Sequence, residues 1–150
     1  MQQHNIKRYI RLVEIKNHIP RGLLAAIAQV ESSYRPFAVN FAGKSFMSPN
    51  SSQAAGRIRK ALNSGKTNID IGVMQLNYRW HGSAFNNVEE MLNPVKNIQY
   101  AAQLIKQLYY KHGNWQQAIA YYHSSIPNHN IKYKQKVMSC WLGTDRVKQS

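Results

Sequence analysis

The sequence predicts a mainly α, α+β single domain: a helical body with one small β-hairpin flap beside a cleft. Three observations carry that expectation. Apolar residues recur at helical spacing along most of the chain, clearest in Ile98, Ala101, Ala102, Ile105, Leu108 and Tyr109. Pro and Gly stand at the edges of these runs, where helices start and stop. One stretch, "PFAVNFAGKSFMSP", drops that period for short β-friendly runs around Ala42 and Gly43. A chain of 150 residues can bury roughly two thirds of its unfolded surface, and with 43% hydrophobic and 11% aromatic residues it has the apolar mass to fold. One domain over 1–150, with its core at about 19–142, is expected.

A first helix is expected over 5–18, where Ile6, Tyr9, Ile10 and Val13 share a face and Arg8, Arg11 and Lys16 lie elsewhere. Ile19 and Pro20 end it, and Pro20 suits the first turn of a second helix running to about residue 33, because its missing N–H is unpaired there in any case. The hairpin occupies 36–49, turning where Gly43 permits a positive φ. A third helix over 51–64 has a Ser N-cap, with Ala54, Ala55, Ile58, Ala61 and Leu62 on one side and Gly65 closing it. Short 88–92, long 94–111 stopped by Gly113, then 115–124 and 130–142 complete the helices, the last two separated by Ile126 and Pro127. There is no internal repeat and no low-complexity tract.

Twenty Lys and Arg against six Asp and Glu give a formal charge of +14, which attracts anionic partners without choosing among them. The cations are scattered, and most serve to solvate helix faces. Nucleic acid is disfavoured, since no helix-turn-helix pattern, zinc spacing or basic-aromatic motif accompanies the charge. The single Cys140 excludes an intramolecular disulfide and a cysteine-based zinc site, and no His spacing resembles a metal site. Met1 is followed by polar residues without an apolar stretch of roughly 7 to 15 residues, so neither a signal peptide nor a membrane span is expected in the chain as given. That leaves a cytosolic protein or a mature form whose export signal has been replaced by a starting Met.

Four places carry candidate chemistry. In "AIAQVESSYRPFAVN" the carboxylate of Glu31 follows Ile27 and Ala28 on an apolar helix face, where loss of water favours its proton-donating neutral form. Local pattern alone favours a duller role, a helix-end ion pair with Arg35 one turn on. In "NIDIGVMQLN" Gly72 lets backbone approach a ligand, Met74 packs adaptably, and Gln75 and Asn77 bring amides suited to sugar hydroxyls, although any turn into a helix reads similarly. Asp70 is the candidate second carboxylate of a two-acid glycosidase, and also a good N-cap for a helix starting at Ile71 or Gly72, the role that its position favours. In "AIAYYHSS" Tyr121 and Tyr122 lie about 100° apart on a helix, so one can face the core and the other a cleft. His123 can titrate, yet a lone His beside Ser is more often a hydrogen-bonded structural residue.

Taken in order, these pieces resemble the lytic transglycosylases of the soluble, family-23 glycosidase type, which have a lysozyme-like fold. "IPRGLLAAIAQVESSYRP" is similar to the family helix that ends in Glu-Ser, and "DIGVMQLN" to its Gly-Leu-Met-Gln-hydrophobic-Asn motif. "NPVKNIQYAAQLIKQL" is similar to the helix beginning Asn-Pro, and "AIAYYHSS" stands at the Ala-Tyr-Asn motif, with Tyr122 at the Tyr and His123 where Asn is commoner. Four weak motifs in the right order are together specific. "AVNFAGKSF", "LNYRWHGSAF" and "YHSS" look like the branch associated with secretion systems.

The resemblance implies that Glu31 is the catalytic acid/base and that Ser32, Met74, Gln75, Asn77, Tyr122 and His123 bind substrate. It implies peptidoglycan glycan strands as partner, no cofactor and no metal, a monomer in the periplasm or cell envelope, and a link to a cell-envelope secretion apparatus. Cleavage between N-acetylmuramic acid and N-acetylglucosamine would be non-hydrolytic and leave 1,6-anhydro ends. A goose-lysozyme-like hydrolase using Asp70 and water, or a non-catalytic peptidoglycan binder, are the alternatives.

Overall fold

A computed structural model describes residues 2–123 and 127–149, with side chains described to residue 123 and from 130 to 143. Helix α1 (Gln3–Lys16) buries Ile6, Ile10 and Val13 on one side, the stripe that its spacing implies. Helix α2 (Leu23–Ser32) runs through the core, burying Leu23, Leu24, Ala26, Ile27 and Ala28; full burial of a Leu or Ile contributes about 1.5–3 kcal/mol.

Helix α2 begins three residues after Pro20, which therefore does not occupy its first turn. The start is set by a remote side chain. The buried Glu14 carboxylate of α1 accepts from Gly22 N (3.1 Å) and Ala25 N (3.1 Å), supplying the cap that neither Gly22 nor Pro20 can give. Its negative charge also suits the positive end of the helix dipole.

Strands β1 (Ala38–Phe41) and β2 (Lys44–Met47) form the expected hairpin. Its two-residue turn has both Ala42 (φ 53°) and Gly43 (φ 74°) left-handed, the geometry whose twist matches paired strands. Helix α3 (Ser51–Asn63) is capped by Asn50, one residue before the expected Ser.

Two further strands, β3 (Asp70–Ile71) and β4 (Leu76–Asn77), extend the hairpin into a four-stranded antiparallel sheet of order β2-β1-β3-β4. Asp70 caps no helix: Asn40 of β1 pairs with it in the sheet, and pairing within an inner strand outweighs its capping preference. A short helix α4 (Tyr78–His81), not anticipated from the pattern, follows β4 directly, with Asn77 as its cap.

Helices α5 (Val88–Leu92) and α6 (Pro94–His112) match the expected starts, Pro94 opening α6 and Gly113 (φ 85°) stopping it. Helix α7 (Trp115–His123) packs back on α6, and α8 (Pro127–Gln149) returns along α2. Residues 124 and 126, part of the expected end of α7 and break before α8, lie outside the described residues. Helix α8 is longer at both ends than the 130–142 expected, so Pro127 starts a helix rather than only separating two.

Helix α8 is fastened to the start of α2 by Trp141, whose Nε1 donates to the Arg21 carbonyl at 2.8 Å. Its inward face carries Asn130, Tyr133 and Val137. The α2–α8 pairing therefore brings residues a hundred positions apart in sequence to the C-terminal end of α2, where Glu31 lies. The molecule is mainly helical with a small antiparallel sheet, an α+β lysozyme-like arrangement.

Candidate active site

Glu31 occupies the last turn of α2, at the bottom of a cleft of about 630 Å³. The walls come from β3, β4 and the loop between them (Asp70, Gln75, Asn77), α4 (Trp80), α6 (Leu104, Leu108) and α7 (Tyr121, Tyr122, His123). A second cavity of about 640 Å³ lies between the start of α1 and the hairpin, lined by Arg35 and Phe37 among others. It contains no carboxylate, so acid chemistry belongs to the Glu31 cleft. Among the described residues Glu31 forms no ion pair with Arg35; the chain turns away at once, with Ser33 (φ 53°) and Tyr34 (φ 63°) both left-handed.

Burial raises the Glu31 pKa from the usual 4.5 to about 8. The Tyr133 hydroxyl of α8 opposes this by favouring the carboxylate, and the nearby charge of Asp70 adds to the rise. The Tyr133 contact is looser than an ordinary hydrogen bond: the buried hydroxyl meets no partner at strict geometry. Burial also raises Asp70, against a hydrogen bond from Asn77 and the charge of His123. Burial thus favours the protonated form of Glu31 in this cleft.

The loop joining β3 to β4 is shaped by one buried side chain. Asn97 of α6 donates through Nδ2 to the carbonyls of Ile71 (3.0 Å) and Met91 (2.8 Å) and accepts from Met74 N at 2.9 Å. Gly72 (φ 83°) is needed beneath it, since a Cβ there would come within 2.5 Å of Asn97 Nδ2. The loop ends at Gln75, a non-glycine residue at φ 50°, a conformation that costs about 1 kcal/mol or more. Its Nε2 holds that turn in place, donating to the carbonyls of Gly72 (2.9 Å) and Ala38 (3.0 Å).

The expected substrate residues therefore divide into two sets. Gln75, Asn77, Tyr122 and His123 line the cleft with Glu31 and Asp70. Ser32 and Met74 lie buried behind the wall instead. The Ser32 hydroxyl donates to the Val73 carbonyl at 2.6 Å, tying α2 to the loop, and the Met74 carbonyl accepts the Tyr122 hydroxyl at 2.7 Å. Their small or flexible side chains suit packing, and substrate would meet their neighbours. Asn77 has a positioning role as well: Nδ2 donates to Asp70 Oδ1 (3.1 Å) and Asn68 Oδ1 (2.7 Å), while Oδ1 caps α4.

Tyr133, Asn97 and Trp80 were not singled out from the sequence. For Tyr133 and Asn97 a signal existed, a polar group set into an otherwise apolar helical stripe: Asn130, Tyr133 and Val137 on α8, and Asn97 beside Ile98 and Ala101 on α6. Trp80 carries no such mark; its 73% exposure emerges only from the fold. Among the described residues no group of three His, Cys, Asp or Glu could hold a metal ion, and no helix is long and apolar enough to cross a membrane.

A search of curated proteins and a search of solved structures found no match. The model of the transglycosylase SLT domain matches residues 8–139. That span runs from the first turns of α1 to the middle of α8 and includes Glu31 and every described wall of its cleft. The chain belongs to the transglycosylase SLT domain family, whose activity is directed at peptidoglycan.

Proposed function

We propose that this protein is a peptidoglycan lytic transglycosylase that cleaves the bond between N-acetylmuramic acid and N-acetylglucosamine without water, with Glu31 as its single acid/base. The observation that carries this is the place of the Glu31 carboxyl in a cleft it shares with Asp70, Gln75, Asn77 and Tyr122, where burial favours its protonated form. Glu31 donates its proton to the glycosidic oxygen as the bond breaks. The sugar's own acetamido group stabilises the cationic centre, so no second carboxylate is required. The ionised Glu31, now facing the Tyr133 hydroxyl, removes the proton from the C6 hydroxyl of the same muramic sugar, and C6–O closes on C1. Proximity favours this internal nucleophile over water.

Asp70 favours one second reading, a goose-lysozyme-like hydrolase, because it shares the cleft with Glu31. Its hydrogen bond from Asn77 and the rise it causes at Glu31 fit a supporting charge better than a base. Work on peptidoglycan implies the cell envelope; action as a monomer and alongside a secretion apparatus is proposed from the family resemblance alone, and no cofactor is proposed. Release of soluble muropeptides from purified sacculi tests the reading. Glu31→Gln is expected to abolish release while binding persists, and undiminished release would remove Glu31 from the chemistry. Binding by the wild type without any release would instead identify a non-catalytic peptidoglycan binder.

A further inference from the structure

His123 ends the described part of α7, and its two ring faces have different surroundings. One lies flat on Tyr133, with ring centroids 4.4 Å apart and planes 13° from parallel. The residue as a whole is exposed and lines the cleft with Glu31 and Asp70. Tyr133 in turn is buried, and its hydroxyl lacks a partner at ordinary hydrogen-bond geometry. The Glu31 carboxyl lies near that hydroxyl but too loosely to fix where it points; the orientation comes from what the ring packs against. The only aromatic ring recorded against it among the described residues is that of His123.

We propose that His123 is a positioning residue: by stacking on Tyr133 it holds the phenol so that its hydroxyl meets the Glu31 carboxylate once the acid has given up its proton. This rests on the function proposed above. A flat ring is what the role needs, and the imidazole supplies one. Parallel aromatic packing of this kind adds about 0.5–1.5 kcal/mol beyond area burial, enough to select one ring orientation. The imidazole's charge is a separate matter. It favours ionised Asp70 on β3; the remaining titratable groups facing this region among the described residues are Glu31 on α2, Tyr121 and Tyr122 on α7, Tyr133 on α8, and Arg79 and His81 on α4.

The test compares wild type with His123→Ala, His123→Phe, Tyr133→Phe and the His123→Ala/Tyr133→Phe double variant. It measures kcat and KM on soluble glycan fragments across the neutral and alkaline range, with Tm as the check on folding. His123→Ala is expected to lower kcat about tenfold with KM nearly unchanged, the size of one lost hydrogen bond in the transition state. Its alkaline limb is expected to move to higher pH, because Tyr133 no longer favours the ionised Glu31. His123→Phe restores the stack without the charge and is expected to recover most of both effects. The double variant should be no slower than Tyr133→Phe. A His123→Phe variant as slow as His123→Ala, or losses that multiply in the double variant, would overturn the proposal. Full activity in His123→Ala with none in Glu31→Gln overturns the positioning role alone, whereas full activity in Glu31→Gln overturns this role and the proposed function together.

Discussion

Glu31→Gln should make the protein more stable, and only in one pH window. In the unfolded chain the carboxyl has its usual pKa of 4.5, and in the fold about 8. The folded value is the raised one, so the native state holds this proton more tightly than the unfolded state does. Below about pH 4.5 both states carry the proton and Glu31 imposes no penalty. As pH rises, the unfolded chain ionises freely while the buried carboxyl resists, and stability falls until the penalty is complete above about 8. At pH 7 some 2.5 units of that gap are in force (7 minus 4.5), an upper bound of about 3 kcal/mol at 1.36 kcal/mol per unit.

The residue borders an open cleft and water reaches part of it, so a gain of about 1–3 kcal/mol at neutral pH is expected. For a chain of this size that raises Tm by roughly 2–10 °C. Gln matches the shape of Glu and cannot ionise. Thermal and urea unfolding of both proteins near pH 4 and pH 8 give the answer. Equal stability at the higher pH, or an equal gain at both, would show that Glu31 is not the desolvated acid described above.

Asn97→Ala removes three hydrogen bonds, from the buried Met74 N–H and to the Ile71 and Met91 carbonyls. A loss of about 3–5 kcal/mol in urea unfolding is expected, with glycan cleavage weakened because Gln75 stands on the same loop; a loss under about 1 kcal/mol would contradict the anchoring role. Gly72→Ala meets the same Asn97 side chain at 2.5 Å and must hold φ near 83°, so it should be destabilised by at least about 2 kcal/mol, and a neutral effect would refute the close approach. Binding of the +14 chain to sacculi should weaken as salt rises from low to physiological strength; affinity indifferent to salt would remove electrostatics from substrate capture.

Legibility in the sequence followed the range of the interaction responsible. Helix α6 could be read almost to the residue, because Pro94 and Gly113 act on their own backbone. The hairpin turn at Ala42 and Gly43 was legible for the same reason. The strand position of Asp70 is not legible locally, because its preference for capping a helix loses to pairing with β1, thirty residues away. The start of α2 depends on Glu14 of another helix, which no window around Pro20 contains. At the cleft, Glu31, Gln75 and Tyr122 could be named from motifs and the apolar face around Glu31. Tyr133 and His123 become a stacked pair only because α8 folds back along α2, and Ser32 and Met74 could not be told from wall residues without knowing which way each side chain points.

Mass spectrometry of the muropeptides released from purified peptidoglycan bears hardest on the whole scheme. If Glu31 acts alone and the C6 hydroxyl is the nucleophile, the wild type yields products one water lighter than reducing-end fragments, and Glu31→Gln yields none. Reducing-end products from the wild type would assign the chemistry to water and restore Asp70 as its partner, and anhydro products from Glu31→Gln would take the acid role away from Glu31.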